Sequence, residues 1–139
     1  MMAKVSFLLG LCGSGKSHLA EDIVHRTGAK YIDSLLAEPS RMSLLFEILT
    51  RGEDCVVEEA AFCTEEGRSQ IVKALARIPS VEVEWICFEN NVESANWNVR
   101  HRLNKGDALG HLEINRRLSI VYTYPSGTVP RPIYRIPGR

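Results

Sequence analysis

A glycine-rich segment near the start of the chain most constrains how this protein can fold. Residues 10–17 read GLCGSGKS; they follow an apolar run at positions 5–9 and precede a segment with helical periodicity. Glycines allow the backbone to turn so that successive N–H groups point inward, and the start of the following helix adds its positive end to the same point. A strand, such a loop and a helix, in that order, predict a phosphate-binding loop in an α/β domain.

The composition is typical of one globular domain. The chain has 139 residues, of which 45% are hydrophobic and 24% charged, so a single domain over residues 1–139 can bury its own core. No apolar stretch approaches the ~20 residues of a membrane-spanning helix. None of the four cysteines belongs to a C-x-x-C pair or another metal-binding spacing. We therefore expect a cytoplasmic protein with free cysteines that does not enter a membrane.

The charge is unevenly distributed along the chain. Residues 1–97 carry 9 Lys and Arg against 15 Asp and Glu, a balance of −6, whereas residues 98–139 carry 8 against 2, a balance of +6. A basic segment of this kind is either a solvated surface or a surface that contacts phosphates. Both interpretations are open at this point, and the second makes nucleic acid a candidate partner.

Strand-like apolar segments alternate with segments of helical period. This order predicts a mostly parallel sheet of four or five strands with helices on both faces, which is a three-layer α/β domain. In the last predicted helix, Ile114, Leu118 and Val121 are in phase. The proline-rich tail leaves room for at most one short edge strand, at 132–136. The other predicted strands are 4–9, 30–33, 54–58 and 81–88; the predicted helices are 17–26, 40–51, one that Thr64 caps and Pro79 ends, 92–103 and 111–122.

The loop residues indicate which ligand it binds. Gly10, Gly15, Lys16 and Ser17 satisfy the Walker A pattern G-x-x-x-x-G-K-[ST]. We expect Lys16 to neutralise the β- and γ-phosphates of ATP and the Ser17 hydroxyl to coordinate Mg²⁺. The residues expected to contact the nucleotide are Gly10, Cys12, Gly13, Ser14, Gly15, Lys16, Ser17 and His18.

Carboxylates end the second and third predicted strands, at the edge where ligands of open α/β sheets bind. Asp33 can accept a proton from a substrate hydroxyl there, or contact Mg²⁺ through water. Glu58 and Glu59 end the third strand, and one of them is expected to hold the water shell of the metal. Because neighbouring side chains of a strand point to opposite faces, only one of the two can face the phosphates.

Two arginines begin the basic segment. Arg100 and Arg102 lie late on the helix after the fourth strand, just before the polar break NKGDALG. We expect residues 98–112 to form a lid that folds over the phosphates and neutralises charge during transfer. A plain exposed helix end is the alternative.

These segments resemble the P-loop kinase group that includes shikimate and gluconate kinases and the kinase domain of phage-type polynucleotide kinase. The resemblance covers nearly the whole chain, in the order GLCGSGKS, YIDS, VVEEAAF and WICFENNVESANWNVRHR. It implies a P-loop NTPase fold and an ATP-dependent kinase. YIDS matches the strand whose aspartate serves as base or metal partner, which is Asp33 here. NVRHR matches the arginine-bearing lid, which implies catalytic roles for Arg100 and Arg102 beside Lys16.

The match at the third strand departs from the family pattern. VVEEAAF resembles the V-x-x-D-A-T-[FN] segment of the polynucleotide-kinase branch, with Glu59 where an aspartate is usual. The resemblance therefore implies that Ser17 and Glu59 hold Mg²⁺, Glu59 through water, with Asp33 as a further candidate. Leu35 stands where shikimate-type kinases have a second aspartate, which counts against shikimate as the substrate.

The leading hypothesis is a phosphotransferase that moves the γ-phosphoryl group of ATP to a hydroxyl acceptor. The acceptor is a polynucleotide 5′-hydroxyl, a nucleoside or a small metabolite; the basic segment and VVEEAAF slightly favour the first two. The alternative is an NTPase or nucleotide-binding switch without a small acceptor, in which VVEEA is a degenerate Walker B strand. A kinase hydrolyses little ATP until its acceptor is added, whereas a switch hydrolyses ATP alone.

Overall fold

A parallel sheet of four strands forms the centre of the protein in the computed structural model, which describes residues 2–138. Met1 and Arg139, the two ends of the predicted domain, lie outside the described residues. The strands are β1 (Ala3–Leu9), β2 (Lys30–Asp33), β3 (Cys55–Glu58) and β4 (Val81–Cys87). Their order in the sheet is β2-β3-β1-β4, and every neighbouring pair is parallel. The predicted α/β class is confirmed, and each strand ends within one residue of its predicted limits.

Five α-helices connect and follow the strands. They are α1 (Lys16–Thr27), α2 (Pro39–Thr50), α3 (Glu65–Leu75), α4 (Val92–His101) and α5 (Ala108–Val121). Short 3₁₀ turns at Leu35–Ala37 and Ala60–Cys63 precede α2 and α3. None of the helices within residues 2–138 combines the length and the apolar character that crossing a bilayer requires.

Local signals that end and begin helices act as the sequence predicts. Gly28 adopts φ 76°, a left-handed conformation that favours glycine, and its N–H bonds the carbonyl of Val24 to end α1. The hydroxyl of Thr64 accepts the N–H of Gly67 at 3.2 Å and so caps α3. These contacts are local in sequence, which is why the pattern of residues predicts them.

The two faces of the sheet are covered differently. On one face α2 and α3 enclose the larger core, in which the stacked rings of Phe7 and Trp85 meet Phe62 edge-on. On the other face α1 covers Leu8 and Val56. Next to α1 on that second face, β4 is polar: Glu82 is exposed and Glu84 pairs with Lys4 at 3.2 Å. The alternation VEVEW therefore marks a strand with one buried and one solvated face.

The short edge strand for which the tail left room at 132–136 is not formed in the part of the chain that the structure describes. A single parallel bridge instead joins Arg131 to Phe88, beside β4. The N–H of Arg131 bonds the carbonyl of Cys87, and its carbonyl accepts the N–H of Glu89, both at 2.8 Å. Pro130 and Pro132 flank Arg131 and have no N–H to donate, so the ladder stops after one residue.

The side of α5 that packs inward differs from its apolar stripe. Ile114 and Val121, which are in phase with Leu118, are 42% and 52% exposed, and only Leu118 of the three packs against the core. Asn115 is instead fully buried. The inward side of this helix therefore carries the polar contacts of Asn115, which hydrophobic periodicity does not reveal.

Candidate nucleotide-binding site

The predicted phosphate loop connects the carboxyl end of β1 to the start of α1. Gly13 and Gly15 have φ values of 87° and 110°, in the left-handed region that side chains disfavour. A Cβ atom on Gly13 would lie 2.4 Å from the carbonyl oxygen of Ala95, so the loop packs directly on the backbone of α4. The glycines are thus needed both for the turn and for the close approach.

Positive charge and unused polar groups collect inside the loop. The Nζ of Lys16 donates to the carbonyls of Gly10 at 2.6 Å and Leu11 at 2.9 Å, which keeps the ammonium group at the loop where α1 begins. Ser14 Oγ is the one buried side-chain oxygen or nitrogen among the described residues that lacks a hydrogen-bond partner. A lysine, a helix N-terminus and a glycine loop fit a bound phosphate group.

A buried carboxylate lies beside the loop. Glu58, at the end of β3, is only 4% exposed, and both its oxygens are 3.3 Å from Ser17 Oγ, which donates to them. The hydroxyl of Tyr31 on β2 also donates to Glu58. Burial raises the pKa of Glu58 above its usual value, although the hydrogen bond from Tyr31 and the charge of Lys16 oppose this. Burial and Glu58 together raise the pKa of Tyr31, which therefore stays protonated.

Asp33 lies at the end of β2, paired in register with Glu58. It is exposed, and its carboxylate accepts a hydrogen bond from Ser34 Oγ at 3.2 Å. The negative charge of Asp33 adds to the effect of burial on the pKa of Glu58, which shows that the two carboxylates interact. Arg41 donates to the carbonyls of Asp33 and Ser34 at 2.7 and 3.1 Å and so holds the turn after Asp33. Asp33 is therefore an exposed carboxylate at the same edge of the sheet as Glu58.

Glu59 points away from the loop. One of its carboxylate oxygens accepts the N–H of Leu36 at 2.8 Å, and the other accepts the N–H of Ala61 at 3.0 Å. Glu59 therefore caps the 3₁₀ turn after β3 and ties it to the turn after β2. The structure places Glu58, not Glu59, beside Ser17, because successive side chains of β3 alternate between the two faces of the sheet. This geometry does not support the metal role that the family resemblance implies for Glu59.

The predicted lid arginines lie at the end of α4. Arg100 is exposed, whereas Arg102 is half-buried and donates to Nδ1 of His111 on α5 at 2.9 Å. Within the described residues, neither guanidinium group donates a hydrogen bond to the phosphate loop. Arg102 is bonded to α5, and Arg100 lies on α4 itself.

Residues that hold the site together carry little signal in the sequence. Tyr31 contacts Glu58 across 27 positions of the chain, and Asn115 contacts Cys12 across 103. His18 lies in the first turn of α1, as the motif predicts. Only the alternation of residues 31 and 33 on β2 could have indicated that Tyr31 shares a face with Asp33.

The described residues contain no group of three or more His, Cys, Asp or Glu side chains arranged to hold a metal ion. Mg²⁺ does not need such a cage, because it keeps several waters and binds through one or two protein oxygens and the phosphates of a nucleotide. Ser17 with Glu58 is a donor set of that kind.

Comparison with known proteins identifies the fold. No protein-family model and no curated protein matches the chain. Among solved structures, a gluconokinase from Sinorhizobium meliloti 1021 is similar with a TM-score of 0.62 and 18% identity, over 95% of this chain and 80% of that chain. The YorR protein of Bacillus subtilis, in complex with phosphorylated GDP, has a TM-score of 0.41 and 13% identity, over 93% and 84%. The first similarity shows that the α/β fold is that of a P-loop kinase structure; the second is too weak to support an inference.

Proposed function

We propose that the protein is an ATP-dependent kinase that transfers the γ-phosphoryl group to a hydroxyl acceptor. The observation that carries this proposal is the arrangement of Ser17, Glu58 and Asp33. The phosphate-loop serine bonds a buried carboxylate, and an exposed carboxylate lies in register on the neighbouring strand. Glu58 would thus serve the bound phosphates, and Asp33 would be available to an acceptor. Phosphoryl transfer needs both functions.

Each residue has a role that its position supports. The loop N–H groups and Lys16 bind the β- and γ-phosphates. Ser17 and, through water, Glu58 would hold Mg²⁺, which when bound neutralises charge on the phosphates. Asp33 accepts the proton of the acceptor hydroxyl. At the same time the oxygen of that hydroxyl forms a bond to the γ-phosphorus, and the bond between the γ-phosphorus and the oxygen that bridges it to the β-phosphate breaks. The products are ADP and the phosphorylated acceptor.

Arg100 and Arg102 complete the proposed site from the lid. In an acceptor-bound state the end of α4 and the segment that follows it close over the phosphates, and the two guanidinium groups neutralise the charge of the transferring phosphoryl group. The contact between Arg102 and His111 is the interaction that closure would replace.

The acceptor classes to be tested are a polynucleotide 5′-hydroxyl, a nucleoside and a small metabolite such as a sugar acid. The basic charge of residues 98–139 supports an acceptor that carries phosphate. The similar gluconokinase supports including sugar acids in the test, since gluconate is a sugar acid.

The experiment is a transfer screen with γ-³²P-labelled ATP and Mg²⁺ over these acceptor classes, with ATP hydrolysis measured in parallel. We expect little hydrolysis by the protein alone and label transfer to one class. Asp33→Asn should lower transfer by about 10²–10⁴-fold while ATP binding persists, because only proton removal is lost. Asp22→Asn, which changes an exposed aspartate bonded to Arg26 on α1, is the matched control and should behave like the wild type.

Two results would overturn the proposal. Rapid ATP hydrolysis that no acceptor increases would favour the NTPase or switch. Full transfer activity in Asp33→Asn would show that this carboxylate is not the base.

A further inference from the structure

Asparagines on α4 and α5 hold the backbone of the phosphate loop from outside. Oδ1 of Asn115 accepts the N–H of Cys12 at 2.7 Å, and its Nδ2 donates to the carbonyl of the same residue at 2.8 Å. Nδ2 of Asn98 donates to the carbonyl of Gly13 at 2.9 Å. Two consecutive residues of the loop are thus tied to the helices on either side of the lid segment.

A third asparagine determines how the Asn115 amide is oriented. Nδ2 of Asn115 also donates to Oδ1 of Asn96 on α4 at 2.9 Å. The reversed amide would set an NH₂ group against the Cys12 N–H and an oxygen against both the Cys12 carbonyl and the Asn96 oxygen. Only one orientation therefore satisfies every group. We call Asn96, Asn98 and Asn115 the loop clamp.

The loop clamp explains why a fully buried polar residue lies on α5. An apolar side chain at position 115 would leave the N–H and the carbonyl of Cys12 without these partners, which is unfavourable in a buried place. Phosphate affinity depends on loop N–H groups that already point at the ligand, because a loop that must be ordered on binding loses affinity to that ordering.

We propose that the loop clamp positions the phosphate loop, with Asn115 as its main positioning residue, and so sets the affinity of the site for the phosphates of a nucleotide. The ligand in this inference rests on the proposed function, whereas the effect on loop order does not. Asn115 acts through the Cys12 peptide.

Cys12 provides a direct report on loop order. Its thiol is half-buried, whereas Cys55, Cys63 and Cys87 are at most 1% exposed. Burial also raises the pKa of the Cys55 thiol to about 12 and that of Cys63 to about 11, so both resist alkylation at neutral pH. Iodoacetamide should therefore label Cys12 first, at a rate that follows the opening of the loop.

The test compares Asn115→Ala, Asn115→Asp and Asn98→Ala with the wild type. Asn115→Asp keeps the acceptor for the Cys12 N–H but has no N–H for its carbonyl. We expect Cys12 labelling to accelerate about tenfold, and ATP affinity measured by calorimetry to fall about 10- to 100-fold, in both Asn115 variants. Asn98→Ala should show a smaller change of the same sign, since it removes one contact to the loop, besides the contacts of Asn98 with Tyr134 and Ile136 in the tail.

Asn90→Ala is the matched control. Nδ2 of Asn90 donates to the carbonyl of Ser119 at 2.8 Å, so this variant also removes an asparagine contact to α5, but one remote from the loop. It should label and bind ATP like the wild type. Equal effects of Asn90→Ala and Asn115→Ala would overturn the inference, since α5 packing alone would then explain both.

Melting curves and circular dichroism identify folded variants; if Asn115→Ala does not fold, Asn115→Asp and Asn98→Ala decide the matter. Folded clamp variants with wild-type labelling and affinity would overturn the inference. A wild type that binds no ATP would refute the proposed function, and the labelling rates would still decide whether the clamp orders the loop.

Discussion

The predicted phosphate loop and the segment at residues 102–107, which is the middle of the predicted lid at 98–112, are held in place in different ways. The loop is bonded from several directions: Lys16 contacts its carbonyls from within, and Asn115 grips Cys12 from a helix far along the chain. In the lid segment, the N–H of Gly106 bonds the side chain of Asn104, and Lys105 bonds the carbonyl of Arg100. These two contacts are local in sequence and exposed to solvent, and Arg102 bonds this segment to His111 on α5.

This difference suggests separate roles for the two segments, with nucleotide binding at the loop and closure over the phosphates at the lid segment. A segment with exposed, local hydrogen bonds and few buried apolar groups opens at a small free-energy cost, and lids of enzymes are drawn from such segments. The loop, by contrast, is held by Lys16 on α1 and by Asn115 on α5. Changes in the loop should therefore alter nucleotide affinity, and changes in the lid should alter turnover.

The largest effect is expected at the loop itself. Lys16→Ala removes the positive charge that contacts the loop carbonyls, so ATP affinity and transfer rate should both fall, the rate by roughly 10³-fold. Calorimetry and the transfer assay measure the two quantities. An ATP affinity equal to that of the wild type in this variant would contradict the proposal that the loop determines nucleotide binding.

The lid arginines should show the opposite pattern. Arg100→Ala and Arg102→Ala are expected to lower kcat by roughly 10- to 100-fold with almost unchanged ATP affinity, because the charge they neutralise develops during transfer. Arg117→Ala, an exposed arginine bonded to Glu113 on α5, is the control and should leave kcat unchanged. If ATP affinity falls as much as kcat, the lid does not act on turnover alone, as proposed here.

The adjacent glutamates allow a matched test beside the loop. Glu58→Gln should reduce transfer about tenfold, because the amide holds the water shell of Mg²⁺ less well than a carboxylate. Glu59→Gln should leave transfer nearly unchanged. Equal loss of transfer in both variants would contradict the choice of Glu58.

The burial of Glu58 should also affect the stability of the protein. Burial raises the pKa of Glu58, so ionising it becomes increasingly unfavourable to the folded state as the pH rises above the usual glutamate pKa. The free energy of unfolding of Glu58→Gln, relative to the wild type, should therefore increase between pH 4 and pH 7. Urea denaturation at both pH values measures this, and a constant difference would show that burial does not penalise the Glu58 charge.

The smallest effect is expected at Tyr31. Its hydrogen bond favours the ionised form of Glu58, so Tyr31→Phe should raise the pKa of Glu58 further. Activity that requires ionised Glu58 should then be lost at a higher pH on the acidic side of the pH–rate profile, with about a twofold to fivefold loss at neutral pH. If the acidic side of the pH–rate profile is the same in Tyr31→Phe and the wild type, Tyr31 does not influence the function of Glu58.

Much of the fold could be predicted because its signals are local. The strand–turn–helix order at residues 3–27, the glycine after α1, the cap of α3 and the alternation of β4 each involve residues a few positions apart, and the structure confirms these local conformations. The tail was expected to form at most one short edge strand at 132–136, and it forms a single bridge at Arg131 because the prolines beside that residue interrupt pairing.

The choice between Glu58 and Glu59 could not be predicted from such local signals. Family resemblance pointed to Glu59, but which of two neighbours faces the loop depends on the register of β3 against β1 and β2. A shift of one residue would exchange them. The buried position of Asn115 was hidden for a similar reason, since helical periodicity reports where apolar residues recur and not which polar residue finds partners in the core.

By itself the sequence determined a strand, a phosphate loop and a helix at the start of an α/β domain, with carboxylates at two strand ends and a basic segment after them. Steric and capping preferences acting over a few residues are enough for that. Only the tertiary structure decided that Glu58 meets Ser17, that Glu59 caps a turn, and that Asn115 holds Cys12 across 103 positions. Such contacts depend on the packing of whole helices and strands, which no local pattern of residues records.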